Sequence, residues 1–203
     1  MQPLITNARR FPDKIAHQRD QLTKLARGQQ PQAMFISCSD SRVMPALITG
    51  ARPGDLFELR TAGNIIPRYR PQASCAVAGT LEFAVQVLQV SDIVILGHSH
   101  CGAVHALTGT TNVRSMPLLQ KWLGRAGYRP RRQTAAAAHL SLVAGAFNPE
   151  QRHLIQQLDH LRSYPRIAHK AARGKLRLHA WFYAIDTAEI TTFNAKTDDF
   201  RPL

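Results

Sequence analysis

Acidic residues are scarce in this chain: 13 aspartates and glutamates stand against 26 lysines and arginines, a formal net charge of +13 over 203 residues. Such a balance raises the question of a polyanionic partner. The basic residues are spread out, however, with denser stretches at 124–133 (GRAGYRPRRQ) and 162–177, and no nucleic-acid-binding motif accompanies them. No specific nucleic acid is therefore expected. Long apolar runs are missing too; none approaches the ~20 residues that span a bilayer, so no membrane partner is expected. The opening MQPLITNARRFPDKIAHQRD lacks the apolar core of a signal peptide, and no apolar stretch follows Arg9 and Arg10. The expected location is cytoplasmic. Cysteine is limited to Cys38, Cys75 and Cys101, an odd and widely spaced set that makes a poor disulfide framework. Reduced thiols, available to a metal or to catalysis, fit better; Cys75, inside an apolar segment, reads as core. Repeats and low-complexity linkers are absent as well. The chain reads as one domain over 1–203, long enough for a real core.

What is present is an alternation of short strands and helices. Residues 12–28 have partial helical spacing (Ile15, Leu22, Leu25, Ala26), closed by Gly28. QAMFISCSD (32–40) and DLFELRT (55–61) read as strands. Segment 73–90 is ambiguous: its valines favour strand, its length favours helix, with Ala76, Thr80, Phe83 and Val87 on one face. DIVILGH (92–98) is the clearest buried strand, and CGAVHALTG begins a helix. Asn148-Pro149-Glu150 is a helix start running to about Arg162; Pro165 opens another helix, closed by Gly174. Two final strands follow, within 175–186 and 189–195. This order predicts an α/β fold, a mostly parallel central sheet flanked by helices, with residues 1–30 as an N-terminal helical arm.

In open α/β sheets, sites lie at the carboxyl ends of strands, and two strands here end in reactive residues. The first runs into Cys38-Ser39-Asp40-Ser41-Arg42. Read as continuing strand, it puts Cys38, Asp40 and Arg42 on one face. The second ends in GHSHCG (97–102), where His98 and Cys101, three apart at a helix start, can face the same side. Together the ends offer Cys38, His98 and Cys101: two thiolates and an imidazole, a normal zinc set with one tetrahedral position left open. His100 and His105 lie near enough to compete as ligands, and spacing alone does not choose among them. GHSHC also approaches a nucleophile elbow, but that motif needs glycine where Cys101 stands.

CSDSR followed sixty residues later by GHSHCG resembles the β-class carbonic anhydrases. The likeness extends through GQQPQAMFISCSDSRVMPALIT, PGDLFELRTAGNIIP, SDIVILGHSHCGAV and LHAWFYAID, most of the chain. The resemblance implies one Zn²⁺ per chain on Cys38, His98 and Cys101, a catalytic dyad of Asp40 and Arg42, and a lyase that reversibly hydrates carbon dioxide to bicarbonate and a proton with zinc hydroxide as nucleophile. It also implies a homodimer or higher homo-oligomer, onto which the N-terminal arm packs. Within the family the chain is more similar to the plant-like and cyanate-linked bacterial members, where Gln29, Phe57 and Gly102 match substrate-lining positions. Phe83 matches a further one, contributed across the dimer interface and often tyrosine. Two other departures stand out. Thr61 replaces the usual asparagine of RTAGN, and Phe35 stands where bicarbonate-inhibited members carry tryptophan. Arg60 and Tyr183 match the other two positions of that inhibitory anion site, so weak or no such regulation is expected. Two alternatives use the same residues: a zinc hydrolase of carbon disulfide or carbonyl sulfide, and a basic zinc-binding scaffold protein without catalysis.

The residue types have a chemical logic. In the three-histidine carbonic anhydrases zinc brings its water to a pKa of about 7. Two thiolates neutralise the formal charge of Zn²⁺, so a water bound here is less acidified and needs help. An Asp40 carboxylate can accept its hydrogen and fix its lone pair toward carbon dioxide. Arg42 can hold that carboxylate off the metal with a bidentate fork that lysine cannot supply.

Overall fold

The computed structural model describes residues 1–72, 75–127 and 147–203. Six strands form one sheet: β1 (Ala33–Cys38), β2 (Leu56–Thr61), β3 (Asp92–His98), β4 (Arg177–Tyr183), β5 (Ile190–Asn194) and β6 (Asp199–Pro202). Their spatial order is β2-β1-β3-β4-β5-β6. The first four are parallel, and β5 and β6 extend the sheet antiparallel at one edge. The α/β expectation holds, with one correction: three strands close the chain, not two. β6 contains Asp199 and Pro202, residues that argue against strand, and proline is tolerated here because β6 is an edge. Phe200 secures it, its ring 5.4 Å from Phe193 across the pair.

Central strands of a parallel sheet are buried on both faces and read as unbroken apolar runs. On one face, Met34 and Ile36 of β1 join Ile93 and Ile95 of β3 in the main core. On the other, Phe35, Val94 and Leu96 form a smaller cluster with Val43, packed against Trp181 and Tyr183. Nine α-helices are seen among the described residues: α1 (Gln2–Arg9), α2 (Phe11–Lys14), α3 (Arg19–Leu25), α4 (Pro45–Thr49), α5 (Ala76–Glu82), α6 (Gly102–Leu107), α7 (Pro117–Leu123), α8 (Pro149–Arg162) and α9 (Pro165–Ala172). The main core is covered by α5, α8 and α9 through Val77, Leu81, Leu154, Leu158, Leu161 and Ile167. α8 starts where its capping signals put it. Asn148 Oδ1 accepts from the Gln151 amide at 2.8 Å, and Gln151 Oε1 accepts from the Asn148 amide at 3.1 Å, a reciprocal capping box with Pro149 at the first position.

Segment 73–90, where described, resolves as helix: α5 continues into a π-helical stretch, Phe83–Val87. Its buried side is Val77, Leu81, Ala84 and Val85, while Phe83 and Val87 point outward. Cys75 is half-buried against the main core. The single helix expected over 12–28 is broken. α2 stops at Lys14, Ile15 leaves helical geometry at φ −109° and is buried, and a 3₁₀ turn leads into α3. The N-terminal arm is otherwise open: no residue of α1, α2 or α3 is buried. Most of the first basic stretch lies outside the described residues.

Candidate metal centre

β1 and β3 are parallel neighbours, with Ser37 paired to Leu96, so the residues that end them meet at the carboxyl end of the sheet. The Sγ atoms of Cys38 and Cys101 stand 4.0 Å apart. These sulfurs and a ring nitrogen of His98 all lie within 4.8 Å of one another, and all three residues are buried. The three are not placed as a period argument suggests. His98 ends β3, Ser99 and His100 make a turn in which His100 takes φ +56°, and Cys101 is the N-cap residue of α6.

Hydrogen bonding selects the donor atoms. His98 Nδ1 donates to the Ser99 carbonyl at 2.9 Å, which leaves the Nε2 lone pair free. Nε2 is buried without a hydrogen-bond partner among the described residues. Buried polar atoms are ordinarily satisfied, so an orphaned imidazole nitrogen facing two thiols fits a metal, and the sulfur–nitrogen donor set fits zinc. The competing histidines are engaged elsewhere: His100 Nε2 pairs with Asp186 at 2.9 Å and His105 Nε2 with Glu150 at 3.3 Å. The two sulfurs lie within hydrogen-bonding distance of each other. Hydrogen bonding from Cys101 is the largest cause that draws the Cys38 thiol down to about 4, with His98, the Gly63 amide and the backbone at Asp40 adding to it against the cost of burial. The same contact and burial push Cys101 up. The Cys38 sulfur also accepts the Gly63 N–H at 3.3 Å.

Beyond Cys38 the strand stops, so Asp40 and Arg42 are not strand neighbours. They sit in a turn closed by the Val43 amide on the Asp40 carbonyl at 3.0 Å. Asp40 Oδ1 accepts from the Arg42 amide at 3.0 Å and from Arg42 Nε at 2.9 Å, while Arg42 Nη2 donates to Asp40 Oδ2 at 2.7 Å. The same Nη2 reaches the His100 carbonyl at 3.0 Å, which ties the two strand ends together. This fork is the first cause that holds the Asp40 carboxyl well below the usual carboxylate range. Its Oδ2 lies 4.0 Å from His98 Nε2, beside the donor cluster. Arg60 braces the turn from β2, donating to the carbonyls of Cys38, Asp40 and Val43 at 2.7–3.2 Å.

A family model described as carbonic anhydrase matches residues 33–190. The chain belongs to the β-carbonic anhydrase family. It is 39% identical to a carbonic anhydrase of Pseudomonas aeruginosa over 204 residues, covering all of this chain and 92% of that protein. It is 37% identical to a carbonic anhydrase of Synechocystis over 98% of this chain and 73% of that one. Among solved structures, the β-carbonic anhydrase CcaA superposes with a TM-score of 0.85 at 34% identity, covering 100% of this chain and 92% of that one.

The substrate-lining positions suggested by the β-carbonic anhydrase resemblance divide in two. Gly102, at the first position of α6, adjoins Cys101, and nothing lies within 4 Å of where a Cβ would stand. The others are at the far end of the sheet. Phe57 pairs with Met34 whereas Thr61 pairs with Cys38, a separation of about 13 Å at the usual strand rise. Phe83 packs on Phe57, ring centroids 5.8 Å apart, and Gln29 precedes β1 altogether. One chain does not bring Gln29, Phe57 or Phe83 to its own metal centre. Sequence reasoning also missed the backbone donor at Gly63, although the glycine of RTAGN, held at φ +76°, was a signal for it.

Proposed function

We propose that this chain catalyses the reversible hydration of carbon dioxide to bicarbonate and a proton, using one Zn²⁺ per chain held by Cys38 Sγ, His98 Nε2 and Cys101 Sγ. The observation that carries this reading is the convergence of two sulfurs and an unpartnered imidazole nitrogen within 4.8 Å. Zinc bound there supplies Lewis acidity, which makes a water nucleophilic near neutral pH. The protein does the rest by orientation. Asp40 stays ionised because the Arg42 fork lowers its pKa, so it is an acceptor only. It therefore orients the O–H of the attacking solvent oxygen through Oδ2 and does not store the proton. Arg42 fixes both carboxylate oxygens and, through the His100 carbonyl, ties Asp40 to the strand end that carries His98. Gly102 leaves the approach to Cys101 open for a small apolar substrate.

The whole chain acts as one domain, and the functional unit is a homodimer. Gln29, Phe57 and Phe83 then line a site only if it belongs to a second copy, which suits Phe83 at 42% exposed and an arm carrying Leu4 and Phe11 at 66% and 56% exposed. The match of Gln29, Phe57 and Gly102 to their lining positions supports a kinship with the plant-like and cyanate-linked bacterial members. A reducing compartment such as the cytoplasm suits it, since two thiols 4.0 Å apart serve a metal only while they remain unoxidised. No helix among the described residues is long and apolar enough to cross a membrane.

Metal removal tests the assignment. Protein as purified should contain close to one zinc per chain and hydrate carbon dioxide. Chelation should lower the rate at least about a hundredfold and zinc should restore it, given that the metal generates the nucleophile. Full activity in demetallated protein would overturn the reading.

A further inference from the structure

Behind Cys38 lies a buried polar chain that the proposed reaction does not use. The Gly63 N–H that reaches Cys38 Sγ belongs to the peptide linking Ala62 and Gly63. The carbonyl of that same peptide, Ala62 O, accepts the Trp122 indole N–H at 2.8 Å. The next carbonyl, Gly63 O, accepts from His153 Nε2 at 2.7 Å. Both peptides flanking the Gly63 Cα are thereby pinned, one from α7 and one from α8. His153 is itself held in one tautomer. A carbonyl only accepts, so Nε2 carries the hydrogen; Nδ1 faces the Gln157 amide nitrogen at 3.5 Å, and Gln157 Oε1 accepts the Ile66 amide at 2.9 Å. Burial, the first cause, lowers the pKa of the imidazole and so favours its neutral form. Only glycine fits the pinned turn. Its φ is +76°, and a Cβ would stand 2.8 Å from the Cβ of Ala103, two residues beyond Cys101.

We propose that Trp122 and His153 are positioning residues for the metal centre. They lock the Ala62–Gly63–Asn64 turn so that the Gly63 N–H stays on the Cys38 sulfur, and so set how strongly that thiolate donates to the metal. The inference rests on Cys38 being a metal ligand. Trp122 acts within one amide group: a donor on the carbonyl oxygen polarises the N–H at the other end, and linked hydrogen bonds strengthen each other. Groups one step behind metal ligands commonly change metal affinity 10–100-fold when removed.

Cobalt substitution reads the sulfur directly, through its thiolate-to-metal charge-transfer absorption at saturating metal. A hydrogen bond lowers the energy of the sulfur lone pairs, so losing it moves the band to longer wavelength. Trp122→Phe, which keeps an aromatic ring beside Ile65 and Leu123, and His153→Leu are each expected to shift the band that way and to weaken cobalt binding about tenfold. His153→Gln, which returns an N–H near the position of Nε2, should restore the parental band. An unmoved band and parental affinity in folded Trp122→Phe protein would overturn the proposal, whether or not His153→Leu folds. A parental protein with no thiolate charge-transfer band would instead overturn the assignment of Cys38 as ligand.

Discussion

Arg42→Lys is expected to lower the turnover of carbon dioxide hydration about a hundredfold, the typical cost of misplacing a reacting group by an ångström, while zinc content stays at the parental level. Lysine keeps the positive charge but is a point donor. It cannot hold Oδ1 and Oδ2 of Asp40 at 2.9 and 2.7 Å as the guanidinium does while also bonding the His100 carbonyl at 3.0 Å. Asp40 then loses its fixed orientation, though not its place in the chain, because the Arg42 amide still caps Oδ1 at 3.0 Å. Stability should change little, since the pair is partly solvated, with the Arg42 side chain 47% exposed, and such ion pairs contribute little. Stopped-flow hydration rates measured beside metal analysis check both halves. A parental rate in Arg42→Lys would remove the dyad from the mechanism, and loss of zinc would make Arg42 a structural support of the metal site.

Cys101→Ser is expected to weaken zinc binding by more than the 10–100-fold typical of partners behind the ligands, and to abolish hydration at ordinary zinc concentrations. A serine hydroxyl is a poor, protonated donor beside a thiolate. Cys101 is also the N-cap residue of α6, a position where serine is at home, so the helix is not disturbed and the loss reads metal chemistry. Competition with a chromophoric chelator measures the affinity; parental zinc binding in Cys101→Ser would show that Cys101 is not a ligand.

These residues were legible because strand ends are. β1 and β3 are continuous apolar runs that stop at Cys38 and His98, so the sequence itself shows where the sheet delivers its side chains. The geometry between them was less legible. Period-2 reasoning carries Cys38, Asp40 and Arg42 along one strand, but the strand stops at Cys38 and a turn capped by the Asp40 side chain makes the dyad. Helical spacing likewise joins His98 to Cys101, whereas a turn with a left-handed His100 does so. Both readings named the right neighbours for reasons the backbone does not follow, because short spacings of two or three are shared by strands, helices and turns. β6 was missed because aspartate and proline hide an edge strand held by Phe200. Trp122 and His153 left no local trace: they meet Ala62 and Gly63 across 60 and 90 residues of chain. Gln29, Phe57 and Phe83 matched family positions, but their place at the far end of the sheet emerges only from strand register.

The most direct test of the central claim is X-ray absorption at the zinc edge of the metal-loaded protein. Cys38, His98 and Cys101 as ligands predict two sulfur scatterers at about 2.3 Å and one imidazole nitrogen at about 2.0–2.1 Å, with the fourth position filled by a light atom. A first shell of nitrogen and oxygen only, or of a single sulfur, would contradict it.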